Sequence, residues 1–337
     1  MKDLLRTADL AEGDVIRLLD LADQMKAHPQ DHRGILAGRV VVLYFTKPST
    51  RTRLSFSAAA ARLGATVVTV GPSELQLGRG ETLEDTARVV SGYASALVVR
   101  TYADDDVARL AKAATIPVVN GLTDGHHPCQ SLADLLTLRE HFGTLHGLRM
   151  TWHGKGDNRA RRGLRVAYLG AGNNVAHSLI EACALTGVGL TLACPPGYEP
   201  DPDVVRTAGL VAARNGAWVE VTDDPRAAVA GADAVYTDVW VSMGDPEEER
   251  AARRAALAPY QVNAELMALA APDAVFLHCL PAHRGDEVTA EVIDGPRSLV
   301  FAQAENRLHT AAAVLLALYR GELTGASPAQ LVAGAAS

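Results

Sequence analysis

Phe45-Thr46-Lys47-Pro48-Ser49-Thr50-Arg51-Thr52-Arg53 is the stretch on which both fold and chemistry turn. Ahead of it, Arg39-Val40-Val41-Val42-Leu43-Tyr44-Phe45 is a β-branched and aromatic run, the pattern of a buried strand. Behind it, Leu54 to Leu63 is rich in alanine and closed by Gly64, which predicts a helix with a C-terminal stop. Ser49-Thr50-Arg51-Thr52 therefore sits where a strand becomes a helix. Free backbone N–H groups and the positive end of the helix dipole gather there and suit an anion. Hydroxyls and a guanidinium at the same turn add donors matched to phosphate oxygens. Arg51 and Arg53 are two apart and point in different directions, so one is expected to face the ligand and the other to hold the loop. The plainer alternative is a serine N-cap on an ordinary helix with solvated arginines.

Outward from this turn the same alternation repeats. Strand 65–70, the glycine-rich loop 71–81, helix 82–92, strand 96–100, helix 104–114 and strand 116–120 follow. Ahead of the turn, residues 3–27 carry one or two amphipathic helices. A β-α-β-α-β order implies a parallel sheet with helices on both faces, and ligands of such sheets sit beyond the C-terminal strand ends. Arg51, Arg100 and the stretch after Asn120 fall at those ends. Helix 131–142 reads as a bridge between domains, and 151–162 as a solvated, basic excursion. A second alternating unit begins at Val166. Its strands are expected at 166–170, 188–194, 217–221, 234–237 and 274–277, with helices at 174–186, 201–214, 225–230, 250–258 and 262–269. A last helix covers about 303–321. The fold class is α/β: two doubly wound parallel-sheet domains joined by bridging helices. The expected divisions are 1–140, 141–305 and a C-terminal helix segment 306–337.

Composition bounds the function. The chain has 337 residues, 48% hydrophobic and 21% charged, ordinary for a globular chain of two domains. A net charge of −7 argues against a general nucleic-acid or membrane-surface binder. No apolar run approaches the roughly 20 residues that span a bilayer, and no leader pattern opens the sequence. Cys129, Cys183, Cys194 and Cys279 lack metal-finger spacing and read as reduced thiols, so a cytoplasmic location is expected.

Gly170-Ala171-Gly172 after a strand invites a dinucleotide reading, which fails twice. Val175 stands where the third glycine belongs, and Ala193-Cys194 stands where the ribose-binding acid belongs. Asn173-Asn174 instead offers amides to a small polar substrate, or simply caps the helix. In His127-Pro128-Cys129-Gln130, His127 either donates to a carbonyl oxygen as negative charge builds there or is a loop histidine bonded to backbone. The adjacency of His126 and His127 gives poor metal geometry, so no metal and no cofactor are expected. Asp238 to Gly244 follows a strand. There an aspartate can pair with an ammonium, Ser242 can bind a carboxylate, and the acidic tail suggests a mobile lid. The alternative is a surface loop around a buried Trp240. Cys279, in His278-Cys279-Leu280-Pro281, is either a reactive thiol or a small buried filler. Arg307 either reaches an anion or pairs with a neighbour.

Together, Ser-Thr-Arg-Thr-Arg at 49–53, His-Pro-Cys-Gln at 127–130, Asp-x-x-x-Ser-Met-Gly at 238–244 and His-Cys-Leu-Pro at 278–281 resemble the aspartate/ornithine transcarbamylase family, in its ornithine branch. The resemblance runs in order over nearly the whole chain. It implies carbamoyl transfer from carbamoyl phosphate to the δ-amine of L-ornithine, giving citrulline and phosphate. It assigns carbamoyl phosphate to Ser49, Thr50, Arg51, Thr52, Gln76, Arg100, His127, Gln130 and Arg307, with the Cys279-Leu280 backbone near the carbamoyl amine. It assigns ornithine to Asn174, Asp238, Ser242 and Met243. Arg51, Arg100, His127 and Cys279 are the expected catalytic residues, Cys279 in substrate positioning rather than as a nucleophile. The family implies a homotrimer or a multiple of trimers, and a last helix that returns to the N-terminal domain. Two departures stand out: Ala171 occupies a position where the family usually carries aspartate, and the 151–162 excursion is longer than usual.

Overall fold

The computed structural model describes residues 1–145, 163–241 and 247–326. It divides into two compact units, Met1–Leu136 with the stretch that starts at Glu305, and Thr137–Ala304. The expected excursion at 151–162, and Ser242 and Met243, lie outside the described residues.

In the first unit a short 3-10 turn, Thr7–Asp9, precedes α1 (Glu12–Ala27). Then β1 (Val40–Phe45), α2 (Arg51–Arg62), β2 (Thr66–Val70), α3 (Leu83–Tyr93), β3 (Ala96–Arg100), α4 (Asp104–Ala113) and β4 (Val118–Leu122) alternate. The four strands are parallel in the order β2-β1-β3-β4. The β1 and β3 side chains are almost wholly buried, as their continuous apolar runs require of strands covered on both faces. Val42, Tyr44, Leu97, Val99, Val107, Leu110 and Val118 form one core. The alanine-rich helix α2 ends where expected. Gly64 N–H bonds to Ala61 O at 3.0 Å and Ala65 N–H to Ala60 O at 2.9 Å, the paired bonds that close a helix on a glycine.

The strand order matters for function. The chain steps from β1 to β2 on one side, then returns to place β3 on the other. Between β1 and β3 the winding reverses, and a crevice opens beyond the C-terminal ends of such a pair. Phe45, the last residue of β1, is in register with Arg100, the last of β3.

The second unit repeats the plan. β5 (Arg165–Leu169), α6 (Asn174–Thr186), β6 (Gly189–Ala193), α7 (Pro202–Arg214), β7 (Val219–Thr222), α8 (Pro225–Val229), β8 (Ala234–Thr237), α9 (Glu247–Leu257), α10 (Ala264–Met267), β9 (Val275–His278) and α11 (Ala290–Ile293) follow the helix α5 (Pro128–Phe142). The sheet is parallel in the order β7-β6-β5-β8-β9, so its winding reverses between β5 and β8. Leu169, Val235, Tyr260, Phe276 and Val300 belong to its core. The final helix, α12, is Val300–Arg320, and the unit boundaries fall within α5 and α12.

Several bounds differ from expectation. β4 runs on through Gly121 to Leu122. A glycine reads as a strand breaker, but here a Cβ would lie 3.1 Å from Val99 O and 3.3 Å from the Thr52 methyl, so close approach explains it. α5 begins at Pro128, not 131, because proline suits a first helical position. The helix expected at 262–269 condenses to one turn, Ala264–Met267, capped by the Asn263 side chain. The 3-10 turn Gln76–Arg79 and the helix Ala290–Ile293 had no periodic signal long enough to announce them.

Candidate active site

The first unit gathers its polar residues at the switch between β1 and β3. After β1 the chain passes Ser49 and the exposed Thr50, which precedes α2 without capping it by its side chain. Arg51 opens the helix half-buried, and Arg53 is exposed, so the two arginines do diverge. Thr52 is buried.

Arg307 enters from α12 and is only 3% exposed. Its Nη2 donates to Thr52 Oγ1 at 2.9 Å, and its Nη1 donates to Gln130 Oε1 and faces His127 Nε2 at 3.4 Å. Gln130 in turn donates to Asp134 at 2.8 Å. His127 and Gln130 stand three residues apart across the first turn of α5, which puts both on one side. Of the two readings of Arg307, the structure thus shows a buried guanidinium that orders three polar side chains. Burial first, then the charges of Arg307, Arg100 and Arg51, hold the His127 imidazole well below its ordinary pKa of 6.5. Gln76 is exposed on its 3-10 turn.

A second layer fastens the loop before α5. Asp104, the first residue of α4, accepts from Thr123 Oγ1 and lies 3.1 Å from His126 Nδ1. A Cβ on Gly125 would sit 2.0 Å from Asp104 Oδ2, so that carboxylate fills the space a side chain would need. Lys47 of the anion turn pairs with Asp124 and lies 4.0 Å from the centre of the Tyr102 ring.

The second unit places its polar residues at the switch between β5 and β8. Asn173 caps α6: its Oδ1 accepts from Val175 N at 3.0 Å and Ala176 N at 3.1 Å. Its Nδ2 donates to Asp238 Oδ2 at 2.7 Å. Asp238, just beyond β8 and buried, takes Val239 N–H at 2.8 Å and the Cys279 thiol at 2.9 Å on Oδ1. Cys279 is half-buried, which fits neither a closed filler nor an open nucleophile. Asn174 is half-buried at the first residue of α6. The pairing of Asn173 with Asp238 was invisible in sequence. Trp240 is buried with Ala171 and Leu257, so the departure at 171 supplies a methyl to an apolar cluster.

The turn bearing Cys279 is held from both sides. His278 N–H donates to Gln303 Oε1 at 2.9 Å, and Leu280 N–H donates to His278 Nδ1 at 2.8 Å. His278 Nε2 lies 3.2 Å from Glu287, and both groups are fully buried. Leu280 has a φ of 57°, so this lattice keeps a non-glycine residue in a left-handed conformation. Asp238, His278 and Cys279 present ligand atoms within 4.8 Å of one another. Both nitrogens of His278 are already engaged, however, leaving two donors where a tetrahedral zinc site needs three or four.

Residues 2–140 match the family described as aspartate/ornithine carbamoyltransferase, carbamoyl-P binding domain. Residues 162–318 match its Asp/Orn binding domain. The ornithine carbamoyltransferase of Bacillus subtilis (strain 168) is 50% identical over 322 residues, 95% of each chain. That of Acidothermus cellulolyticus is 50% identical over 94% of this chain and 96% of the relative. The solved structure of ornithine carbamoyltransferase from Pyrococcus furiosus superposes with a TM-score of 0.87 at 46% identity, over 96% of this chain and 98% of that one.

Proposed function

The chain belongs to the aspartate/ornithine carbamoyltransferase family, and on that premise we propose that it transfers the carbamoyl group of carbamoyl phosphate to the δ-amine of L-ornithine, giving L-citrulline and phosphate in arginine metabolism. The observation that carries this reading is the buried Arg307 with Thr52, His127 and Gln130 at the β1–β3 switch. A buried guanidinium at that position favours an anionic ligand.

Carbamoyl phosphate binds the first unit. Its phosphate takes the Ser49, Thr50 and Thr52 hydroxyls, the N–H groups at the start of α2, and the guanidiniums of Arg51, Arg100 and Arg307, with Gln76 and Gln130 as further polar contacts. Thr52, Arg100 and His127 face the carbonyl oxygen and stabilise the oxyanion as it forms. His127 is neutral, so it assists by donating a hydrogen bond and adds no fourth positive charge. Ornithine binds the second unit, on Asn174, Asp238, Ser242 and Met243, with Asp238 taking the α-ammonium. The Cys279-Leu280 backbone holds the carbamoyl amine. The δ-amine attacks only as the neutral base; the C–N bond forms, the carbamoyl–phosphate C–O bond breaks, and phosphate leaves with the electron pair and accepts a proton. No protein nucleophile is needed, and alignment of the two reactants supplies much of the rate.

The protein works as a homotrimer or a multiple of trimers in the cytoplasm. Leu54, Val68, Val89 and Tyr93 of the first unit support assembly, being large apolar side chains 43–79% exposed. None of the four cysteines is in a disulfide, and no described helix is long and apolar enough to cross a membrane.

The test is turnover of carbamoyl phosphate with a panel of amines. Ornithine is the expected acceptor; turnover of putrescine or aspartate without ornithine overturns the assignment. Light scattering should report three chain masses or a multiple.

A further inference from the structure

Asp238 accepts from three donors, two of them the side chains of Asn173 and Cys279. The Asn173 carbonyl is committed to two backbone N–H groups of α6, and the Tyr168 hydroxyl, bonded to Ala171 O at 3.0 Å, stands 3.4 Å from the same oxygen. That commitment fixes the orientation of the amide, so its NH2 must point at Asp238 Oδ2. Cys279 and Val239 occupy Oδ1. We propose that Asn173 is a positioning residue for ornithine: it locks the Asp238 carboxylate in the one rotamer that presents its remaining lone pairs to the substrate ammonium.

The inference rests on the reading of Asp238 as an ornithine ligand. It adds a division of labour between adjacent asparagines. Asn174 is the substrate contact, and Asn173 acts only through Asp238. The amide couples the start of α6, after β5, to the end of β8, so one side chain spans the switch point of the sheet. Without its NH2, the carboxylate keeps donors on Oδ1 alone and is held less firmly about χ2. A less firmly held carboxylate meets an ammonium less often in the productive pose, and the cost falls on ornithine affinity.

Two variants separate positioning from capping. Asn173→Ser keeps a cap acceptor but removes the donor to Asp238. Asn173→Asp keeps both shape and cap but sets a carboxylate against Asp238. Both should unfold within a few degrees of the parent. The ornithine KM should rise about tenfold or more in Asn173→Ser, as expected for loss of a hydrogen bond to a charged group, and further in Asn173→Asp. The KM for carbamoyl phosphate should stay within twofold. An unchanged ornithine KM in Asn173→Ser overturns the proposal. So does a loss of thermal stability with kcat and both KM values unchanged, which would leave Asn173 a helix cap only. Asp238→Asn run alongside distinguishes the two levels. If the parent uses ornithine and Asp238→Asn does not alter its KM, the assignment of Asp238 fails first. If Asp238→Asn raises the KM and Asn173→Ser does not, only the positioning role fails.

Discussion

Arg307 donates from Nη2 to Oγ1 of Thr52 at 2.9 Å, across 255 residues of sequence. The bond joins the last long helix to the first turn of α2, where the phosphate-shaped donors lie. It brings a buried guanidinium to the start of α2. Arg307→Lys keeps the charge but loses the planar fork that serves Thr52 and Gln130 together. Its affinity for carbamoyl phosphate should fall by about a hundredfold, roughly the worth of two charge-assisted hydrogen bonds. The ornithine KM measured at saturating carbamoyl phosphate should hardly move. Calorimetric titration with a stable phosphonate analogue reads the first quantity directly, and wild-type affinity there would remove Arg307 from the pocket.

His127 gives a pH signature. Burial, then Arg307, Arg100 and Arg51, depress its pKa well below 6.5, so the native state declines a proton that the unfolded chain accepts. The unfolded state therefore binds more protons below about pH 6.5, and stability must fall as pH drops from there towards the native pKa, by at most about 1.4 kcal/mol per pH unit. His127→Gln should flatten that part of the stability curve. In the ligand-free protein the His127 ring resonance should not titrate between pH 6 and 8; a midpoint near 6.5 would contradict the packing described.

How much of this was legible beforehand depends on range. The turn at 49–53 was readable because strand, hydroxyls, guanidinium and helix stop follow within a few residues. The parallel strands were readable because Val40–Phe45 and Ala96–Arg100 are apolar throughout. Arg307 was readable only through the family resemblance, since its residue type fits a surface ion pair as well as an anion site and its partners are far away in sequence. The resemblance marked Asn174 alone; what Asn173 does was not legible until the cap committed its carbonyl to Val175 and Ala176. Gly121 misled because a glycine placed for close backbone approach looks the same as one placed for a turn. The four motifs that named the family carry more information than any single local rule, because their order encodes both switch points at once.

Asp14 offers a prediction remote from the site. Its buried carboxylate accepts from Ala11 N at 3.1 Å, Thr324 N at 3.0 Å, Thr324 Oγ1 at 3.1 Å and Gly325 N at 2.7 Å, tying α1 to the segment after α12. Burial alone would raise its pKa, but the donated hydrogen bonds, led by Thr324 and Gly325, outweigh it and hold the carboxyl below 3.8. The stabilisation is complete above the ordinary carboxylate range and is lost as pH falls through the lowered native pKa. Asp14→Ala should cost about 2–4 kcal/mol at neutral pH, within the range for breaking a buried hydrogen-bond network. Its thermal midpoint should drop by several degrees while both KM values hold. The gap between parent and variant should narrow only as pH falls through the lowered native pKa of Asp14.

Asp104 and His126 hold the loop that leads into α5. The 3.1 Å contact between them, the Thr123 bond to the same carboxylate and the absence of a side chain at Gly125 pin the loop that delivers His127. Burial would raise the Asp104 pKa, yet the bonds from His126 and Thr123 dominate and lower it, so the pin holds above the ordinary carboxylate range and fails as pH falls through the native value. Asp104→Ala removes it at any pH. Carbamoyl phosphate affinity should fall about fivefold to tenfold, the scale of one lost charge-assisted bond transmitted to a neighbour. Gly125→Ala should act in the same direction, because its methyl group must displace the carboxylate. Neither change should alter the ornithine KM. The two together should lose little more than either alone, since both release the same loop. Full additivity in that double mutant would mean that Asp104 and Gly125 act on separate features, and the pin would have to be given up.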